Sequence, residues 1–192
     1  MILPALQIKS FNPTERVLMG PGPSDVSDRV LRAMASPTLG HLDPEFISMM
    51  NETKELLQYV FQTKNEWTFA VSAPGSAGME CCFANLIESG DKVIVCQNGV
   101  FGGRMRENVE RCGGEAIIVN DEWGCPVDPQ KVEMALKEHP DTSIVAFVHA
   151  ETSTGVESDV QNITKLAHEH GCMVIVDSVT GLVGSELRVD EW

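Results

Sequence analysis

Residues 72–78, which read SAPGSAG, have the composition of a backbone cradle for an anion. Small side chains let a ligand approach the main chain closely. The N–H groups of Gly75, Ser76 and Ala77, together with the Ser76 hydroxyl, are therefore suited to hold a phosphate. The alternative is an ordinary strand-to-helix turn made tight by small residues, and this segment alone favours neither interpretation.

Two further segments carry an aromatic ring and a group of hydroxyls. In NGVFGG, the Phe101 ring stands among glycines. It can stack on a flat heterocycle, although a core phenylalanine is the commoner explanation. In ETSTGV, residues 151–156, the hydroxyls can donate hydrogen bonds to a ligand oxygen. By themselves they are better explained as a polar turn that bonds its own backbone.

Asp177 ends an apolar run, so its carboxylate needs a partner, because desolvating an isolated charge is costly. A helix N-cap or a metal ligand would also account for it. A phosphate cradle, a ring, hydroxyl donors and an acid, in this order, together meet the needs of pyridoxal phosphate. An acid beside its pyridine nitrogen keeps that nitrogen protonated, which lets the ring withdraw electrons from a carbanion.

The elements that must position these residues are predicted from alternating apolar runs and helical segments. The predicted strands are 67–71, 92–97, 115–119, 143–149 and 172–176. The predicted helices between them are 76–87, 103–112, 129–137 and 160–170. Valine-rich and isoleucine-rich runs of this length are typical of a parallel sheet covered on both faces. We predict an α/β fold, three-layer and doubly wound, with a mostly parallel sheet that binds ligands at the carboxyl ends of its strands.

The N-terminal part has a different character. Residues 1–23 carry four prolines and end in a Gly-Pro-rich turn, so we expect an arm and lead-in loop, with the main domain at 24–192. Ser24 has the character of an N-cap for a short helix. A second helix is predicted from Pro44, with a buried apolar stripe. Its members are Phe46, Met49, Met50, Leu56, Leu57, Val60 and Phe61.

Charge and cysteine usage restrict the possible functions. The 192 residues include 14 Lys and Arg against 28 Asp and Glu, a formal net charge of -14, which argues against nucleic acid or an anionic membrane as a partner. Six scattered cysteines form no CxxC pair, so we expect reduced thiols and no metal site. With no apolar run of transmembrane length and no secretory signal, we expect a soluble, cytoplasmic protein.

The motifs LMGPGPS, LGHLDPEF, SAPGSAG, NGVFG, HAETSTGV and VIVDSV follow one another as in the class V, fold type I aminotransferases. The sequence resembles that family over nearly its whole length. It is most similar to the alanine–glyoxylate and serine–pyruvate group, with the ureidoglycine–glyoxylate aminotransferases a near neighbour. The resemblance implies pyridoxal 5'-phosphate as cofactor, transfer of an amino group from alanine or serine to glyoxylate or pyruvate, and a homodimer.

The resemblance also implies roles for individual residues. Thr152 would hydrogen-bond the phenolic oxygen of the cofactor, Asp177 would pair with the ring nitrogen, and Val179 would pack on the ring. Phe101 would stack on the opposite face, where many relatives have tryptophan, and His41 would lie at the substrate pocket across the dimer interface. The implied cofactor-binding residues are Gly75, Ser76, Ala77, Phe101, Thr152, Asp177 and Val179.

One departure from the family pattern is large. The lysine that forms a Schiff base with the cofactor in that family would lie beyond Trp192, as would the C-terminal small domain. We therefore expect a truncated large domain with no catalytic residue of its own. Such a chain would be inactive alone, or would be paired with a chain that carries the missing part.

Other functions remain open at this stage. Another class V chemistry, such as cysteine desulfuration or phosphonate transamination, uses the same cofactor, although desulfurases place a histidine where Phe101 stands. A nucleotide-binding module is less favoured, because the chain has no GxGxxG or GxxxxGK[ST] motif after a strand. A non-catalytic, cofactor-binding or interaction fragment is the third alternative.

Overall fold

The computed structural model describes residues 10–192, which divide after Thr38 into two compact units. The first unit contains helix α1, Asp28–Met34, whose N-cap is Ser27. The prediction that Ser24 caps this helix is therefore wrong. Asp25 precedes this helix, and its carboxylate accepts a hydrogen bond of 3.2 Å from the N–H of Leu18.

The second unit, Leu39–Trp192, contains a parallel sheet and the helices that cover it. Its elements are α2 (Pro44–Phe61), α3 (Gly75–Leu86), β1 (Lys92–Gln97), α4 (Val100–Arg111), β2 (Glu115–Asn120), α5 (Pro129–Glu138), β3 (Thr142–Val148), β4 (Ala150–Glu151), β5 (Val156–Glu157), α6 (Val160–Glu169) and β6 (Met173–Asp177). The four-stranded sheet has the order β2-β1-β3-β6, and all its pairs are parallel. Strands β4 and β5 form a small antiparallel hairpin that the sequence did not predict.

The core consists of two apolar layers, one on each face of the sheet. Successive side chains of a strand point to opposite faces, and β1 follows this rule with four buried residues. Val93 and Val95 pack with Met79, Phe83, Met105 and Val109 of α3 and α4. Ile94 and Cys96 pack with Val132, Leu136, Ile163 and Ala167 of α5 and α6. The predicted three-layer α/β fold with a parallel sheet is thus confirmed.

The prediction of a strand at 67–71 is wrong. These residues form no strand, and Trp67, Phe69 and Val71 are exposed by 85%, 61% and 41%. A β-strand needs a neighbour that accepts and donates its backbone hydrogen bonds, and an apolar strand also needs a covered face. Residues 67–71 have neither within the described part of the chain, so an apolar pattern alone did not produce a strand.

Helix α2 forms where it was predicted, but its apolar stripe is not buried. Pro44 occupies the first turn, and the Asp43 carboxylate caps the helix by accepting a hydrogen bond of 2.8 Å from the N–H of Glu45. None of its residues is buried, and Leu56 is 59% exposed. Phe61 packs partly against the core. Periodicity predicted the helix correctly, whereas burial also requires a covering element, which residues 10–192 do not supply.

The helix ends follow the glycine pattern of the sequence. Gly113 and Gly171, which follow α4 and α6, have φ angles of +86° and +77°, a left-handed conformation that costs other residues free energy.

Among residues 10–192, no helix combines the length and the apolar character that a membrane crossing requires.

Candidate functional site

The carboxyl ends of β1, β3 and β6 lie side by side at one edge of the sheet. After β1 the chain moves outward to β2 and then crosses back to β3, on the other side of β1. In open α/β sheets such a reversal leaves a crevice at the carboxyl ends of the two strands, and ligands bind there. Phe101 follows β1, Thr152 follows β3 and its hairpin, and Asp177 ends β6.

A pocket of about 250 Å³ lies at this edge, slightly below the usual range for small-molecule sites. Its lining residues are Gly75, Ser76, Met79, Phe101, Arg104, Thr152, Asp177 and Val179. It thus brings together six of the seven residues that the sequence indicated for cofactor binding. Ala77 does not line it, and its N–H donates to the Pro74 carbonyl at 2.9 Å. His41 lies in an exposed turn outside the pocket.

The N-terminus of α3 forms one wall of the pocket. Its N-cap residue is Pro74, so no side chain caps the first turn. The free N–H groups and the positive end of the helix dipole there favour an anion. Gly75 matters for space, because a Cβ atom at this position would come within 3.1 Å of Cγ2 of Val179. The pocket wall therefore depends on a residue without a side chain.

Asp177 provides the acid of the pocket. Burial raises the pKa of its carboxyl group above the ordinary value, and the nearby Glu151 carboxylate raises it further. A hydrogen bond of 3.0 Å from the N–H of Val179 and the positive charge of Arg104 act in the opposite direction on this pKa. A half-buried carboxylate with a raised pKa is the type of group that gains from a cationic ligand.

Phe101, at the start of α4, is held in place by a buried acid of β4. The Glu151 side chain is fully buried, and its Oε2 atom accepts hydrogen bonds from the N–H groups of Phe101 and Gly102 at 3.1 and 3.3 Å. Its Oε1 atom accepts from the N–H and hydroxyl of Ser153 at 3.1 and 2.7 Å. A Cβ atom on Gly99 would come within 2.3 Å of the Glu151 side chain. This network links the ring-bearing helix to the loop that carries the hydroxyls.

Comparisons with known proteins identify the family of this chain. The model of the aminotransferase class-V family matches residues 21–192. This chain belongs to the class V aminotransferases, a family of pyridoxal-phosphate-dependent enzymes. An alanine–glyoxylate aminotransferase of Drosophila melanogaster is 38% identical over 178 residues, which are 92% of this chain and 45% of that protein. A (S)-ureidoglycine–glyoxylate transaminase of Bacillus subtilis is 40% identical over 177 residues, which are 92% of this chain and 42% of that protein.

Solved structures of the family share the fold of this class V aminotransferase chain. The alanine–glyoxylate aminotransferase from Nostoc sp. superposes with a TM-score of 0.94 at 40% identity, over 97% of this chain and 49% of that chain. The ureidoglycine–glyoxylate aminotransferase from Bacillus subtilis gives 0.92 at 38% identity, over 96% of this chain and 47% of that chain. The chain spans less than half the length of the curated relatives described above.

The sequence motifs did not indicate three residues that line or support this pocket. Met79 lines the pocket floor from α3, Glu151 orders the start of α4, and Arg104 lines the pocket from α4. Two of them had a detectable signal. Arg104 follows Phe101 by three positions, which places both on one face of a helix. Glu151, like Asp177, is an acid that follows an apolar strand closely.

A larger cavity of about 830 Å³ lies elsewhere in the second unit, between the end of α2 and residues 183–191. Its charged lining residues are Lys64, Glu186, Asp190 and Glu191. It is not at the carboxyl end of any sheet strand in residues 10–192. The smaller pocket is the better candidate, because it combines a helix N-terminus, an aromatic ring and a half-buried acid.

Proposed function

We propose that this chain binds pyridoxal 5'-phosphate in the pocket at the carboxyl ends of β1, β3 and β6. We further propose that the enzyme to which it contributes transfers an amino group from alanine or serine to glyoxylate or pyruvate. The observation that carries the proposal is the meeting, in one pocket, of the α3 N-terminus, the Phe101 ring and the Asp177 carboxylate.

The residues of the pocket fit the chemistry of this cofactor. Gly75 and Ser76 offer a backbone N–H and a hydroxyl to a phosphate, at a helix end that favours anions. Phe101 and Val179 offer apolar surfaces for a flat ring. Asp177 is partly desolvated and forms no salt bridge within residues 10–192, so a protonated ring nitrogen would supply a direct ionic partner. Thr152 contributes a hydroxyl near the same ring.

The roles of the chain's own residues follow from these contacts. Asp177 would hold a proton on the ring nitrogen, and Glu151 would keep the start of α4 in place so that Phe101 stays at the pocket wall. Thr152, whose hydroxyl contacts that of Thr180, would donate a hydrogen bond to the phenolic oxygen. When bound, the cofactor supplies a ring that withdraws electrons from the reacting carbon. Small amino and keto acids are the proposed partners, with a homodimer as the proposed assembly.

A second amino donor is supported by a specific observation. The (S)-ureidoglycine–glyoxylate transaminase of Bacillus subtilis is 40% identical to this chain, compared with 38% for the Drosophila alanine–glyoxylate aminotransferase. The two relatives are nearly equidistant. Ureidoglycine is therefore the alternative donor to alanine or serine, with glyoxylate as the shared acceptor.

Equilibrium dialysis of pyridoxal phosphate against the 192-residue chain and its Asp177→Asn variant tests the proposed site. We expect the variant to bind about tenfold to a hundredfold more weakly, because a hydrogen bond to a charged group contributes about 1.5–3 kcal/mol. Asp141→Asn is a matched control, because Asp141 pairs with Lys92 at the amino end of β3, the opposite edge of the sheet. Equal affinity of all three proteins would refute the assignment of Asp177.

The amino donor is tested on the protein at its natural length, saturated with pyridoxal phosphate. Alanine, serine and ureidoglycine are each offered with glyoxylate, and glycine formation is measured. We expect alanine or serine to give the highest kcat/KM. A strong preference for ureidoglycine would replace the donor, and the absence of glycine with all three donors would reject glyoxylate as the acceptor.

A further inference from the structure

Arg104 is the cationic residue of the pocket. It lies on α4, and one of its guanidinium nitrogens donates a hydrogen bond to Oγ of Ser76, at the start of α3. Its Cζ atom lies 4.9 Å from the centroid of the Phe101 ring, within the range of a cation–π contact. The guanidinium thus connects the proposed phosphate end of the pocket to the proposed ring end.

The surroundings of Arg104 leave its charge available to a ligand. Two other arginines of α4 pair with acids of the same helix, Arg106 with Glu110 and Arg111 with Glu107. In the part of the chain that the structure describes, Arg104 forms no salt bridge with a carboxylate, although the sequence has twice as many acidic as basic residues. Its hydrogen bond to Ser76 uses one of five N–H donors.

We propose that Arg104 binds the phosphate group of the cofactor, jointly with the hydroxyl of Ser76. The inference rests on the proposed function and deepens it. A helix N-terminus carries only about half a positive charge, whereas the phosphate is close to a dianion at neutral pH. A guanidinium adds a full charge and a planar set of donors that matches phosphate oxygens. Since the Ser76 oxygen accepts from Arg104, its own proton is free to point at the phosphate.

Binding measurements on the 192-residue chain test this role with three ligands: pyridoxal phosphate, pyridoxal and inorganic phosphate as a competitor. For Arg104→Gln we expect about tenfold weaker binding of pyridoxal phosphate and of inorganic phosphate, with pyridoxal affinity within about twofold. Arg104→Lys keeps the charge without the planar fork, and we expect an intermediate loss. Arg111→Gln, on the same helix with its side chain 78% exposed, is the matched control and should bind as wild type.

The phosphorus NMR signal of bound pyridoxal phosphate gives a readout that a purely structural role of Arg104 would not change. A guanidinium beside the phosphate favours the dianion, so the second pKa of the bound phosphate should be lower in wild type than in Arg104→Gln. Identical titrations, or equal weakening of pyridoxal and pyridoxal phosphate, would overturn the inference. If the inference on Arg104 fails but the wild-type chain still binds pyridoxal phosphate, the proposed function stands. If the wild-type chain binds no pyridoxal phosphate, the proposed function and the inference on Arg104 are both rejected.

Discussion

At the scale of single residues, Asp177 is a half-buried acid whose charged form costs stability. Burial raises the pKa of this carboxyl group, so the folded chain binds a proton there more tightly than the unfolded chain does. The contribution of this group to stability therefore falls as the pH rises through the ordinary aspartate range to the raised pKa. At neutral pH, without a ligand, the charged form is a net penalty.

Asp177→Asn should for this reason stabilise the chain in the absence of cofactor. The amide keeps an oxygen that can accept from the N–H of Val179, but it carries no charge to desolvate. We expect the Tm of the variant to exceed that of wild type at pH 7, by about 2–4 °C for each 1 kcal/mol gained in the free energy of unfolding. The difference in Tm should shrink towards pH 4. Thermal unfolding at both pH values measures it, and a difference that grows as the pH falls would contradict the account.

Glu151 is a structural acid, and its removal should be costly. Glu151→Ala removes the acceptor of three backbone donors, of which Gly102 is buried and Phe101 partly buried, whereas Ser153 is exposed. We therefore expect a loss of about 3 kcal/mol in the free energy of unfolding. Urea titration of the chain measures this loss. Glu169→Ala, at an exposed ion pair with Lys165, is the control and should change stability by less than about 0.5 kcal/mol. Similar small losses of unfolding free energy in both variants would show that the hydrogen bonds of Glu151 do not stabilise the fold.

At the level of residues, the sequence indicated side chains whose chemistry is local to a motif, and their cofactor-binding roles stay predictions. Ser76 and Asp177 were indicated by their positions after apolar runs and now line one pocket. Arg104 and Glu151 were missed for different physical reasons. An arginine inside a helix is usually a solvated side chain. Glu151 closely follows an apolar strand, but the hydroxyl-rich residues after it indicated a polar turn and not a buried acid.

At the scale of elements, strand and helix bounds were predicted within a few residues wherever two apolar layers enclose the element. Strand β1 occupies the predicted residues 92–97, and α6 begins at the predicted Val160. The segment at 67–71 has equally apolar residues and is not a strand. Its apolar pattern favours a strand. The neighbouring strand that would share its backbone hydrogen bonds, and the layer that would cover its apolar face, must come from other parts of a structure.

Glycine substitutions test the helix ends directly. Gly171 has a φ of +77° and open space where a Cβ atom would lie, so Gly171→Ala should cost about 1–2 kcal/mol through backbone conformation alone. Gly78 lies inside α3, and a Cβ there meets no atom within 4 Å. Gly78→Ala should therefore stabilise the chain by about 0.5–1 kcal/mol. Denaturant titrations of both variants should give opposite signs, and a shared sign would contradict the conformational argument.

At the scale of the whole molecule, apolar surface is concentrated in residues that precede the first sheet strand. Trp67 and Phe69 are exposed by 85% and 61%, and Tyr59 by 82%. Exposed apolar groups of this size mark surfaces that associate with other chains. The proposed homodimer is consistent with such a surface, although charge repulsion from the net -14 opposes association at low salt.

A double substitution, Trp67→Ser with Phe69→Thr, should reduce self-association of the chain. We expect sedimentation velocity at micromolar concentration to show oligomers for wild type that increase with salt, and a shift towards monomer for the variant. The matched control is Met134→Ser, a single exposed apolar residue on α5. A wild-type chain that stays monomeric at high salt would contradict the expectation.

The fold as a whole was predictable because apolar runs alternate with helical segments along the chain, and the two central strands, β1 and β3, are buried on both faces of the sheet. The pocket followed from topology, since the carboxyl ends of these strands meet at one edge. The substrate does not follow from the same rule, because the residues that select an amino donor contact the reacting group and not the cofactor.

Nitrogen NMR of the bound cofactor shows whether Asp177 faces a protonated ring nitrogen. Pyridoxal phosphate labelled with ¹⁵N in its ring is added to the wild-type chain and to Asp177→Asn at neutral pH. We predict a pyridinium chemical shift in wild type and the shift of an unprotonated pyridine in the variant. A bound cofactor with the same unprotonated nitrogen in both proteins would contradict the claim.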